Sequence, residues 1–79
     1  MPRFYFDIRE GSRLTPDVDG TELADVATAE HEAIDTATEI AKEAFSYRRP
    51  GEIVVEVRED RTPLLAVTVS MQIERPDNR

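Results

Sequence analysis

The chain has no cysteine, a single histidine and only three glycines. Without cysteine there is no disulfide framework and no thiolate metal site, and one histidine cannot by itself anchor a structural zinc. The two staples on which small domains commonly rely are thereby excluded, leaving packing, helix capping and association between copies to hold 79 residues together. A chain this short buries only roughly 60–65% of the surface it exposes when unfolded, so a single domain with a thin core is expected. No apolar run approaches the ~20 residues of a membrane-spanning helix. Met1-Pro2-Arg3-Phe4 moves directly into a strand pattern, with no basic segment followed by a hydrophobic one. Together with the missing cysteine, this leads to the expectation of a cytoplasmic protein.

Positive charge is also scarce: ten Lys and Arg stand against seventeen Asp and Glu, for a net charge of −7. Binding a nucleic-acid backbone or an anionic membrane needs a concentrated positive field, so neither partner is expected. The nearest approach to a basic patch is Arg48, Arg49, Arg58 and Arg61, but Glu52, Glu56, Glu59 and Asp60 interleave with it. Catalytic patterns are missing as well. No nucleophile sits beside a base, no glycine-rich loop could cradle a phosphate, and no histidine–carboxylate cluster is visible. Carboxylates are plentiful, yet acid–base work also needs a cleft to shift a pKa, which a thin core rarely supplies. The chain is expected not to be an enzyme, and no catalytic residue, cofactor-binding residue, metal ligand or cofactor is assigned to it.

What the sequence does contain is one strongly patterned helix, predicted over residues 25–47. Val26, Ala29, Ala33, Ile34, Ala37, Ile40, Ala41, Ala44 and Phe45 recur at helical spacing, while Glu30, Glu32, Asp35, Glu39, Lys42 and Glu43 fall largely on the other side. So much alanine predicts close approach of the helix backbone to a sheet, with the large core residues supplied by strands. Asp25 and Thr28 are both candidate amino-terminal caps, Asp25 being preferred, and Pro50-Gly51 stops the segment. His31 lies among Glu30, Glu32 and Asp35 and is expected to be an exposed, solvated side chain.

Strands are predicted over about 3–9, 12–15 (short), 53–59 and 64–71. Phe4, Phe6 and Ile8 alternate with Tyr5, Asp7 and Arg9, so the first strand is half-buried. On the opposite face Tyr5 is either a cross-strand partner of a neighbouring side chain, which is the favoured expectation, or part of a contact surface. Ile53, Val55 and Val57 mark one face of the third strand. The last strand, LLAVTVSM, is apolar on both faces, which predicts a central position beside the first strand. The expected architecture is an α+β two-layer sandwich: an antiparallel sheet of three to four strands with the helix on one face, forming one domain over 1–73. Residues 74–79 are expected to be a frayed polar tail. The uncovered face would carry Tyr5, Val54, Leu65 or its neighbour, Val67 and Val69.

Between the strands and the helix, Pro16-Asp17-Val18-Asp19-Gly20 has the look of a calcium loop, since carboxylates at alternate positions can converge on a hard cation around a glycine turn. The third oxygen ligand and the later glutamate of such a loop are missing. The residues therefore favour a structural loop. In it Asp17 and Asp19 bond backbone amides, Gly20 supplies a positive φ, and Val18 or Leu23 pins the loop to the core.

The run Pro2-Arg3-Phe4-Tyr5-Phe6-Asp7-Ile8-Arg9-Glu10-Gly11, followed by Pro16-Asp17, Gly20-Thr21-Glu22-Leu23 and the Asp25-led helix with Glu32-Ala33, resembles a family of short uncharacterised bacterial proteins that begin with a Phe/Tyr-rich strand. That resemblance covers nearly the whole chain and implies no activity. Pro16-Asp17, Gly20 and the alanine-rich helix also resemble, more loosely, the HicB-type antitoxin domain. That likeness would imply a domain that neutralises a small basic ribonuclease partner, with the added DNA-binding segment frequent in that family not expected in so short a chain. The leading expectation is a small interaction module that binds itself as a homodimer, through the uncovered sheet face or an edge strand, or binds another protein. The two alternatives are a HicB-like binder of a small basic protein and a metal- or small-ligand-binding regulator built on the Asp17/Asp19 loop.

Overall fold

The computed structural model describes residues 1–76. Five strands and one helix follow one another as β1 (Arg3–Glu10), β2 (Arg13–Thr15), β3 (Thr21–Glu22), α1 (Val26–Ala44), β4 (Gly51–Glu59) and β5 (Thr62–Met71), with a 3-10 turn at Phe45–Tyr47. All pairings are antiparallel, the sheet order is β2-β1-β4-β5, and β3 pairs with the other end of the β1 edge. The α+β two-layer arrangement is the expected one. Its sheet has five strands where three to four were expected, because β3 is only two residues long and too short to show a period. Residues 72–76 follow β5 without helix or strand; the rest of the expected polar tail, 77–79, lies outside the described residues.

Asp25 caps α1, its Oδ1 accepting from the Thr28 amide at 2.8 Å and the Thr28 hydroxyl at 2.7 Å. The two candidate caps thus act together, one as acceptor and one as double donor. At the other end Arg48 takes a left-handed conformation, φ 62°, and its amide closes onto the Phe45 carbonyl. The residues of α1 that are buried are Ala29, Ala33, Ala37 and Ala41, a row with four-residue spacing. This narrow row lets the helix backbone settle onto the sheet, where Phe4, Ile53, Val55 and Val57 supply the bulk, all at most 2% exposed. Val26 and Ile34, expected on the buried stripe, are instead exposed.

The strand order corrects the expected one. β4, not β5, is central: it pairs with β1 on one side and β5 on the other, and β1 does not adjoin β5. The apolar look of LLAVTVSM came from residues that are merely uncharged. Ala66, Thr68 and Ser70 face away from the helix and are exposed. Leu64 is the extra residue at a bulge where Val57 pairs with Leu65 and Arg58 with Pro63. The expected content of the open face is corrected with it. Leu65, Val67 and Val69 sit directly opposite Val57, Val55 and Ile53, and opposed residues in an antiparallel pair share a face, so all three lie under the helix. The open face carries Tyr5, Asp7, Arg9, Val54, Glu56 and Arg58.

Two substitutions test this packing. Ala37→Leu has no space to occupy and should lower stability by about 1–3 kcal/mol in urea denaturation. Arg48→Gly removes a side chain from a left-handed position and should raise stability by roughly 0.5–1 kcal/mol.

Candidate functional site

The densest polar arrangement in the described residues lies on the open face, where β1, β4 and the loop at 16–20 meet. β1 and β4 place Tyr5 opposite Arg58 and Asp7 opposite Glu56. The Arg58 guanidinium stacks 4.5 Å above the Tyr5 ring centroid. Its Nε donates to Asp7 Oδ2 at 2.8 Å, Nη2 to the Asp17 carbonyl at 3.0 Å and to Asp7 Oδ1 at 3.4 Å, and Nη1 to the Asp60 carbonyl at 2.6 Å. Every nitrogen of Arg58 is committed within the fold. The expected cross-strand role of Tyr5 is what the structure shows, and Arg58, named with Arg48, Arg49 and Arg61 as the nearest approach to a basic patch, is paired with Asp7.

Asp17 joins the loop to this cluster. Its amide donates to Asp7 Oδ1 at 2.9 Å, and its own Oδ2 accepts from the Phe6 amide at 3.1 Å. Oδ1 accepts from the amides of Asp19 at 3.2 Å and Gly20 at 3.1 Å. β2 covers Ile8 to Glu10 on the outer edge of β1 and β3 covers Arg3 and Phe4. In the gap between them, the Asp17 carboxylate meets the Phe6 amide as a neighbouring strand would.

Gly20, at φ 72°, lies so close to Arg3 and Tyr5 that a Cβ would approach Arg3 Cγ and Tyr5 Cε2 to 2.8 Å. The loop is further tied by Arg3, which donates to the Asp19 carbonyl and pairs with Glu22. Leu23 packs against the core, whereas Val18 is 81% exposed and pins nothing.

Burial raises the pKa of Asp7, but the hydrogen bonds from Arg58 and the Asp17 amide, with the Arg58 charge, outweigh it and hold the carboxyl below its ordinary 3.8. Asp17 behaves alike: burial and the Asp7 charge raise it, the amides of Gly20, Phe6 and Asp19 pull it further down, and it too lies below 3.8. Neither group is poised to exchange a proton near neutrality. Beside them a hollow of about 470 Å³ opens at the β5 bulge, lined by Asp7, Glu56, Arg58, Pro63, Leu64 and Ala66. Its remaining charged wall, Glu56, lies 3.6 Å from Arg9.

The Asp17 loop has the backbone-bonded form favoured for it at Asp17, whose carboxylate is occupied by three backbone donors, whereas Asp19 enters the network through its backbone amide and carbonyl; no group of three or more metal-ligating side chains occurs among the described residues. His31 is exposed on α1 and belongs to no such group. Sequence reasoning assigned no role to Asp7 or Arg58; their alternation with buried neighbours put both on the open face, but the register that brings them together is visible only in the fold.

A sequence model described as a domain of unknown function, DUF6894, matches residues 3–70, and the chain belongs to that family. No curated protein and no solved structure matches it. The family match bears out the coarse form of the first resemblance, an uncharacterised small-domain family. It lends no support to the HicB-type likeness or to a Phe/Tyr-rich strand as the family's mark.

Removing the Asp17 carboxylate leaves three amides without their acceptor, so Asp17→Ala should cost about 1–3 kcal/mol, while Asp19→Ala should stay within about 0.5 kcal/mol. Calcium should leave the Tm of the unmodified protein unchanged. The pKa values of Asp7 and Asp17 are depressed by folding, so the unfolded chain binds protons at higher pH than the folded one. Their contribution should be complete above the unfolded value near 3.8 and disappear as pH falls through the lower folded values. An Asp7→Asn, Asp17→Asn double variant should show a flatter acid limb in pH-dependent denaturation.

Proposed function

We propose that this member of the DUF6894 family is a small cytoplasmic interaction module, without catalytic chemistry of its own, whose first partner is a second copy of itself. One observation carries the reading. In a chain of net charge −7, the outermost strand β5 runs for ten residues, TPLLAVTVSM, without a charged side chain, and among the described residues it is paired only on its β4 side. Solitary proteins usually guard an exposed edge with lysine, proline, bulges or very short strands. Here the bulge and Pro63 protect only the start of β5 and the rest of the edge is bare. The absence of catalysis is supported by the polar cluster itself, whose carboxylates and guanidinium are engaged in holding a loop.

Self-association also suits a core this thin, because among the described residues the largest fully shielded side chains are Phe4, Val55 and Val57. Native mass spectrometry of the untagged protein should show a dimer of bare chains. Two copies of a −7 chain repel each other, so sedimentation should show the dimer tightening as salt rises. A bare monomer at every concentration would contradict the reading; a basic protein retained with the chain would favour the other partner class instead.

A further inference from the structure

We infer that the self-association surface is the outer edge of β5 and that its occupant is the β5 edge of a second copy, joined antiparallel about a two-fold axis at Val67. This rests on the self-association just proposed and adds where and how it occurs. The opposite edge of the sheet is closed within one chain: β2 and β3 cover the two ends of β1 and the Asp17 carboxylate takes the Phe6 amide between them. The open face is covered by charge pairs, Arg58 with Asp7 and Arg9 with Glu56. The β5 edge remains, roughly 33 Å long for ten residues, and its lack of charge is what two equally acidic chains require of a contact.

The helix fits the same arrangement. α1 lies over β4 and β5 and scarcely reaches β1. Strands are about 4.8 Å apart, so a helix seated above the β4–β5 pair has its axis about 5 Å from the β5 outer seam. A two-fold copy then places the two helices about 10 Å apart, the distance at which helices pack.

The carbonyl of Glu52 accepts from the Gly11 amide, which fixes the flank of β4 on which β1 lies. α1 begins beside the Pro2 end of β1 and ends against Gly51, antiparallel to β4. For L residues and a right-handed helix, the step of about 100° from Ala33 to Ile34 is then toward β5. Ile34, 42% exposed in the single chain, is thereby turned toward the partner's helix. To form a stable specific interface, an edge of this length and one helix flank together have to cover about 1,000 Å² in total.

Placing the axis at Val67 uses the middle of the strand and sets Leu65 against the partner's Val69 beneath the helices. On the open face it sets Ala66 against the partner's Thr68. Directly opposed antiparallel residues have Cα atoms about 4.5–5.5 Å apart, within disulfide reach, whereas diagonal neighbours at about 7–8 Å are beyond it.

The absence of native cysteine makes this directly testable. Under mild oxidation a mixture of Ala66→Cys and Thr68→Cys chains should form covalent dimers, and each variant alone should form at least tenfold fewer. An Ala66→Lys, Thr68→Lys double variant, changed only at exposed positions, should keep its circular dichroism spectrum and dimerise at least tenfold more weakly. A dimer that survives the lysines with no enrichment of cross-links in the mixture would overturn the β5 interface while leaving self-association standing. A wild-type monomer would overturn both.

Discussion

The carboxylate of Asp17 stands where a strand would otherwise be needed. It takes the Phe6 amide on the outer edge of β1, while its second oxygen holds the amides of Asp19 and Gly20 and its own amide reaches Asp7. One side chain thus closes a gap between two very short strands and fixes the loop leading to α1. Arg58 completes the arrangement from β4, bonded to Asp7 and stacked on Tyr5, so the loop, β1 and β4 are joined across the open face as well as through the sheet. A single acidic side chain suffices because a carboxylate offers several acceptor positions, and bonds to an ionised acceptor are about twice as strong as neutral ones.

The two layers are asymmetric for a related reason. A row of alanines brings α1 close to β4 and β5, while β1 lies farther from it; of β1 only Phe4 is fully buried, Phe6 and Ile8 being partly buried like Leu65, Val67 and Val69 of β5. The β1 side compensates with loop, β2, β3 and charge pairs. The β5 side has the helix above it and, among the described residues, no strand paired beyond it. The fold therefore closes one edge of its sheet internally and leaves the other uncharged, and this difference gives self-association a direction.

Local features were legible in the sequence wherever a short-range rule decides them. The cap at Asp25, the stop before Pro50-Gly51, the buried faces of β1 and β4 and the structural character of the Asp17 loop all follow from spacing and residue type. Strand order did not follow, because an uncharged strand and a doubly buried strand look alike when the outward residues are alanine, threonine and serine. Val67 and Val69, expected on the open face for the same reason, lie opposite Val55 and Ile53 under the helix. The Asp7–Arg58–Asp17 cluster joins residues up to 51 positions apart, and no local pattern encodes which acidic side chain a given arginine will meet. Val18 shows the same limit in reverse, being apolar and yet 81% exposed, since the loop is held by polar bonds rather than by its valine.

Residue-resolved amide hydrogen exchange, measured across a dilution series, tests the contrast between the two edges most directly. The Phe6 amide should be protected to the same degree at every concentration, because its acceptor belongs to the same chain. The outward amides of β5 should be protected at high concentration and lose that protection on dilution, because their acceptors belong to a second copy. Fast exchange at Phe6, or β5 amides that exchange freely however concentrated the protein, would contradict this account.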